Sequence, residues 1–300
     1  MSLTSIIITT HNRPKLLRRA VESAFAAGTN LEVIVVDDAS TDETAAVCRD
    51  LTGIKYVRVE RNQRVAGARN LGVLASGGQY ITFLDDDDER LPGSLDRQIK
   101  LLETNSEAGL IYGQAIVVDQ SSEPINQSYP RICHQGDVLW ELLGQNFIPC
   151  GAAVFRRSCL DRVGLLDQSL AGIDDWDLWV RIAELYPIVA FAEPVMCWRQ
   201  STPASQQGTS AAHRIVLQSV QQFQESWQNL PRVLSASHEM KRRAWRCFSA
   251  NMSTHLSYEV LRALRHRQLV QAAKNFFPLL RLGPPAMLRL LRINNAHSAL

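Results

Sequence analysis

The chain is short of paired cysteines. Its six, at positions 48, 133, 150, 159, 197 and 247, form no C-x-x-C pair and stand at wide, irregular gaps. That excludes a zinc ribbon or a disulfide scaffold and fits a reducing cytosol. No run approaches the ~18–20 uninterrupted apolar residues that span a bilayer. The first residues, "SIIITT", read directly as a strand, without the basic region and cleavage site of a leader. A soluble or peripheral protein is therefore expected. There is no low-complexity tract and no repeat at a fixed period. With 46% apolar and 21% charged residues, the 300-residue chain can bury a large core.

Acidic residues are scarce in the last third. Residues 211–300 carry 13 Lys+Arg against three Glu, whereas the rest carries 19 Lys+Arg against 27 Asp+Glu. The change falls at "RQSTPASQQGTS" (199–210), a polar stretch with Pro and Gly that reads as a linker. Two parts are expected, residues 1–210 and a basic helical extension over 211–300, each with its own partners.

Up to residue 105 strand and helix patterns alternate. Strands are expected at 3–10, 31–38, 54–60 and 80–85, and helices at 13–28, 40–51, 65–76 and 94–105. Ser40 and Glu43 have capping-box spacing. Further strands are expected at 108–120, 152–157, 188–193 and 195–200, and helices at 158–164 and 174–184. The alternation predicts a mostly parallel sheet covered by helices on both faces, with ligands at the carboxyl ends of the strands. Polar clusters fall at those ends: Thr10-His11-Asn12, Asp37-Asp38, Asn62, and Asp85 to Asp88. Four weak signals would thus meet on one rim.

Four adjacent carboxylates at a strand end are costly unless a cation neutralises them. Mg²⁺ or Mn²⁺ suits carboxylate oxygens and usually binds through one or two of them plus a substrate diphosphate. In an extended chain Asp85 and Asp87 would face one way and Asp86 the other. The alternative is an acidic turn in which Asp88 and Glu89 favour the next helix start.

In order, "SIIITTHNRPKLLRRAVES", "EVIVVDDASTDET", "NQRVAGARNLGVLASGGQYITFLDDDDERLP" and "GIDDWDLWVRIAE" resemble the inverting family-2 glycosyltransferases of GT-A fold, over roughly residues 3–205. The resemblance implies a Rossmann-like nucleotide-diphospho-sugar transferase with a helical C-terminal extension. Thr9, Thr10, His11 and Asn12 would line the nucleotide pocket, and Asp38 would accept from the base, typically uracil N3–H. Arg69 would reach the ribose or diphosphate side, with Gly67 allowing close backbone approach. Asp86 would sit near the ribose in the D-x-D motif. Asp87 would bind the metal, Mg²⁺ or Mn²⁺, with Asp85 a further contributor. Asp175 would be the general base, with Asp174 in support or against the acceptor. The competing reading of Asp174 and Asp175 is a pair of helix N-terminal acids. Asp177 reads as structural and Trp179 as core. Trp198-Arg199 resembles the family's aromatic–Arg pair, but Ser201 stands where many relatives have His, a departure that touches the third metal ligand.

The implied activity is transfer from a nucleotide-sugar, a UDP-sugar by preference, to a glycan or lipid-linked acceptor in cell-envelope polysaccharide synthesis. A cytoplasmic chain, with contact at the inner membrane face through the basic helices, is expected. "LLRLGPPAMLRLLRI" (279–293), where basic and apolar residues interleave, is the membrane candidate. A helical appendage that packs on the acidic part or in a homodimer is the plainer reading, and nucleic acid is not expected. Three other functions compete. A non-catalytic nucleotide-sugar binder would keep the same fold. A pyrophosphorylase would need glycines that "TTHNRPK" lacks, and a phosphoacceptor regulator would leave GARN, DDDD and DDW unexplained.

Overall fold

The computed structural model describes residues 3–199 and 212–282. Of these, residues 3–138 with 147–199 form one compact unit, and 139–146 with 212–282 form the other. In the first unit the chain runs through β1 (Thr4–Thr10), α1 (Pro14–Ala26), β2 (Leu31–Asp38), α2 (Thr44–Asp50), β3 (Ile54–Val59), α3 (Arg64–Ala75), β4 (Tyr80–Asp85), β5 (Glu89–Arg90), α4 (Ser94–Thr104), β6 (Leu110–Val118) and β7 (Pro124–Tyr129). After α5 (Leu139–Gly144) come a 3₁₀ turn (Cys150–Ala152), β8 (Ala153–Arg156), α6 (Leu160–Val163), α7 (Asp174–Leu185) and β9 (Ile188–Arg199).

Strands β3, β2, β1 and β4 are parallel; β8 then runs antiparallel to β4 and β6, and β9 lies parallel to β6. The central strands are buried on both faces, so Ile6, Ile7, Ile8 and Val33 to Val36 form unbroken apolar runs. α1 buries Leu17, Ala20, Val21 and Ala24 at helical spacing and leaves Phe25 exposed. α3 lies close against β1 because Gly72 lacks a side chain: a Cβ there would stand 2.2 Å from Ile7 Cγ2. Register levels Thr9 with Asp85 and Thr10 with Asp37. The expected rim therefore exists.

Several local expectations fail. The Ser40–Glu43 capping box does not form. α2 starts at Thr44, whose N–H and hydroxyl both donate to Asp42 Oδ1. Asp85 to Asp88 are not extended but turn, with Asp88 N–H donating to Asp85 O at 3.1 Å. Asp88 and Glu89 do not open the next helix, because β5 pairs with β9 first and α4 begins at Ser94. The two strands expected over 188–200 are one, with register shifts around Pro194. A Cβ on Gly67 would meet Gln63 Cβ at 2.8 Å, so this glycine serves packing within the fold.

The second unit is helical: α5 with α8 (Ala212–Glu225), α9 (Pro231–Ser235), α10 (His238–Arg265), α11 (Leu269–Phe276) and α12 (Leu279–Leu282). Its core stacks Phe223, Trp227, Trp245 and Phe248. Ser201, most of the 199–210 linker and residues 283–293 of the membrane candidate lie outside the described residues.

Candidate active site

The loops after the first three strands are stapled together. Asn12, in the left-handed region at φ 56°, donates its N–H to Ser40 Oγ at 3.0 Å and accepts from Thr41 N–H at 2.8 Å. His11 Nδ1 lies 2.7 Å from Asp38 O, so Nδ1 carries the proton, and Nε2 accepts from Asn12 Nδ2 at 3.1 Å. Asn62 reaches the same Asp38 carbonyl at 3.3 Å. Asp38 Oδ1 accepts Gln63 N–H at 2.6 Å, while burial pushes its carboxyl above the usual range. Ala39 and Arg64 also hold positive φ, at 63° and 62°. Non-glycine strain in three successive rim loops marks a shape fixed for something other than stability. Asp37 caps a turn: it accepts Ser40 N–H and Tyr56 O–H.

The four aspartates divide among three arginines. Arg13 Nη1 bridges Asp86 Oδ1 at 2.8 Å and Asp87 Oδ2 at 3.3 Å, and Thr10 Oγ1 donates to Asp86 Oδ2 at 2.7 Å. Asp85, the most exposed of the four, pairs with Arg69 Nη2 at 2.7 Å. Asp88 accepts the backbone N–H of Arg199 at 2.9 Å. The guanidinium of Arg199 ties Asp87 O, Asp119 O, Gln120 O, Glu89 and Ser122 together. Burial, with Asp85 and Asp86 alongside, pushes the Asp87 carboxyl up to about 7.

Arg69 is buried and joins two elements. Nη2 holds Asp85 at the end of β4, and Nη1 donates to Asp174 Oδ2 at 2.8 Å at the start of α7. The group also lies over the Phe83 ring. Each terminal nitrogen holds one carboxylate, while Nε is buried without a hydrogen-bond partner. Asp175 is half-buried next in line, and its Oδ1 accepts the N–H of Trp176 at 2.6 Å. Burial first, then the Asp174 charge, push its carboxyl up to about 7. That suits a group that takes and releases protons near neutrality. Asp177 pairs with Arg181 along the helix, and Trp176 and Trp179 are buried, Trp179 edge-on to Phe155.

Thus Thr10, His11, Asn12, Asp38 and Asp85 to Asp87 form one rim, and Arg69 links it to Asp174 beside Asp175. Thr9 lies within the β1 register, level with Asp85. Arg199 belongs to the Trp198-Arg199 pair, whereas no role was expected of Arg13. The available signal was charge: four adjacent carboxylates require cations, and Arg13 directly follows the polar end of β1.

Among the described residues no group of three or more His, Cys, Asp or Glu is arranged to hold a metal. The donor chemistry nevertheless fits a hard divalent cation. Asp85 and Asp87, adjoining on one turn, offer carboxylate oxygens, and such ions need one or two of these when a diphosphate supplies the rest.

The model of glycosyl transferase family 2 matches residues 5–164. The chain belongs to this family. An Escherichia coli relative, UDP-Glc:alpha-D-GlcNAc-diphosphoundecaprenol beta-1,3-glucosyltransferase WfaP, is 30% identical over 187 residues, covering 61% of this chain and 70% of its own. An uncharacterized glycosyltransferase of Rickettsia prowazekii is 29% identical over 195 residues; the match covers 61% of this chain and 60% of the relative. Among solved structures, S. aureus TarS 1-349 with UDP-GlcNAc matches at TM-score 0.58 and 15% identity, covering 92% of this chain and 89% of that one. The Pyrobaculum calidifontis mannosyltransferase PcManGT, with GDP-Man and Mn²⁺, matches at TM-score 0.60 and 18% identity, covering 99% and 80%. The fold of this family-2 member is accordingly GT-A: a mixed α/β sheet with flanking helices.

Proposed function

We propose that the chain is an inverting glycosyltransferase that moves a sugar from a nucleotide-diphosphate donor to a hydroxyl of a glycan or lipid-linked saccharide. The observation that carries the reading is the Arg69 bridge. A single buried guanidinium ties the rim carboxylate Asp85, at 2.7 Å, to Asp174, at 2.8 Å, beside Asp175. Donor rim and base are thereby held in fixed relation.

Asp38, His11 and Asn12 bind the nucleoside, with Thr9 and Thr10 behind them, and Asp86 lies towards the ribose. Asp85 and Asp87 hold a Mg²⁺ or Mn²⁺ ion, which when bound supplies positive charge against the departing diphosphate. Asp175 takes the proton from the acceptor hydroxyl as that oxygen attacks the anomeric carbon on the face opposite the diphosphate. Asp174 and Arg69 hold Asp175 in place. A uridine donor and a lipid-linked acceptor are favoured by the activity for which the E. coli relative is named, and the GDP-Man neighbour makes guanosine the second choice.

The reading places the chain at the inner membrane face, in envelope polysaccharide synthesis. From residue 260 to 282 the sequence has five Lys+Arg and no acid. There Leu269, Val270 and Phe277 are 68%, 71% and 65% exposed, while Asn275 is buried. Apolar side chains outward with cations beside them suit an anionic lipid surface. Among the described residues no helix is long and apolar enough to cross a membrane.

The test is incubation with UDP- and GDP-sugars, Mn²⁺ and a panel of glycosides and polyprenyl-diphosphate saccharides. A product of inverted anomeric configuration, resolved by NMR, is expected. Donor binding without transfer to any acceptor would instead identify a non-catalytic binder.

A further inference from the structure

Trp198 is 39% exposed, while Trp176, Trp179 and Trp227 are buried. Its ring lies 5.8 Å from that of Tyr129, tilted by 52°. The two come from the strands that flank β6, Tyr129 from β7 and Trp198 from β9. Register fixes their side. Ala115 is level with both Tyr129 and Met196, and Val117 is level with Trp198. Residues level across a sheet share a face, and alternate residues along a strand return to it. Tyr129, Ala115, Met196, Val117 and Trp198 therefore stand on one face.

That face leads to the reaction centre. Ala115 and Met196 pack with Ala152 of the 3₁₀ turn, and a Cβ on neighbouring Gly151 would meet Met196 Cε at 2.9 Å. Cys150, the first residue of that turn, is half-buried, and its thiol feels the charges of Arg69, Asp175, Asp85 and Asp174. At the other end, the residue after Trp198 is Arg199, which holds Asp88 and Asp87 O. The aromatic corner thus adjoins both the base and the donor rim.

We infer that Trp198 and Tyr129 form the platform on which a pyranose ring of the acceptor stacks. A pyranose presents one face of C–H groups and a margin of hydroxyls. An indole face offers electron density to the former, and a phenol can hydrogen-bond the latter. A cross-strand aromatic pair can simply stabilise a hairpin. Stability alone gains nothing from leaving the larger ring exposed at the rim of the sheet. The inference rests on the transferase reading and names the residues that seat the terminal sugar of its acceptor.

The test is saturation-transfer NMR on the full chain with methyl glucopyranoside and methyl N-acetylglucosaminide as probes. Wild type, Trp198→Ala, Trp198→Phe and Tyr129→Ala are compared, each in the presence of UDP and Mn²⁺. Transfer to the ring C–H protons is expected in wild type. It should fall at least about fivefold in Trp198→Ala and be largely kept in Trp198→Phe, with UDP titration unchanged in all four. No transfer in wild type, or undiminished transfer in Trp198→Ala, overturns the platform. Loss of UDP binding in wild type would instead strike the donor reading, because the pyranoside signal is scored separately. A purely structural pair would lower the melting temperature of Trp198→Ala and leave the transfer intact.

Discussion

Arg13→Gln removes the guanidinium that meets the carboxylates of Asp86 and Asp87, at 2.8 and 3.3 Å. Breaking a buried ion pair from one side usually costs ~3–5 kcal/mol, because the remaining charge is stranded. Here the loss should be smaller. The Arg13 side chain is 18% exposed, and burial already pushes the Asp87 carboxyl up to about 7, so protonation offers an escape. We expect about 2–3 kcal/mol at pH 8. The sign with pH follows from the carboxylates. Without Arg13 their folded pKa values rise further above the unfolded value. The penalty is then small at pH 5, where Asp87 is protonated in the folded state of wild type and variant alike. It grows as pH rises through the wild-type folded value and is complete only above the higher value of the variant. Urea unfolding of wild type and variant at pH 5 and pH 8 reads this directly. Added Mn²⁺ should restore more stability to the variant than to wild type, because the ion takes over the missing positive charge. A loss equal at both pH values, or below about 0.5 kcal/mol at pH 8, would refute Arg13 as the counter-ion of the cluster.

Transfer by the wild type should rise with pH through about 7, as Asp175 loses the proton that burial and Asp174 help it keep. Asp175→Asn should lower kcat by about 10²–10⁴ and flatten that profile; a variant that keeps the same pH limb would move the base elsewhere. Replacing Leu269 and Phe277 together by Ser should weaken co-sedimentation with vesicles containing phosphatidylglycerol. Neutral phosphatidylcholine vesicles should bind poorly throughout, and equal binding to both would contradict the charge argument.

The parallel half of the sheet was legible because β1, β2 and β4 are central strands, where burial on both faces demands continuous Ile and Val. The rim was legible for the same reason: a polar cluster must follow each run. The conformation of the cluster was not. Whether Asp85 to Asp88 stay extended or turn depends on the Asp88–Asp85 hydrogen bond and on Arg13, whose partners lie about seventy positions away. β7 escaped because "PINQSY" is polar and pairs only with β6, so no buried face imprints an alternation. β9 read as two strands because Pro194 interrupts it, and the register shifts there absorb the interruption. Arg69 was legible as a site residue through its motif. Its place between Asp85 and Asp174 depends on bringing α7 to the rim, a tertiary fact with no local signature.

The most direct test of the central claim is isothermal titration of UDP with and without Mn²⁺, on wild type and Asp87→Ala. The account predicts binding that depends on the metal and is lost in the variant, which would locate the donor at the aspartate rim. Binding indifferent to both metal and substitution, or no binding of UDP or GDP at all, would contradict it.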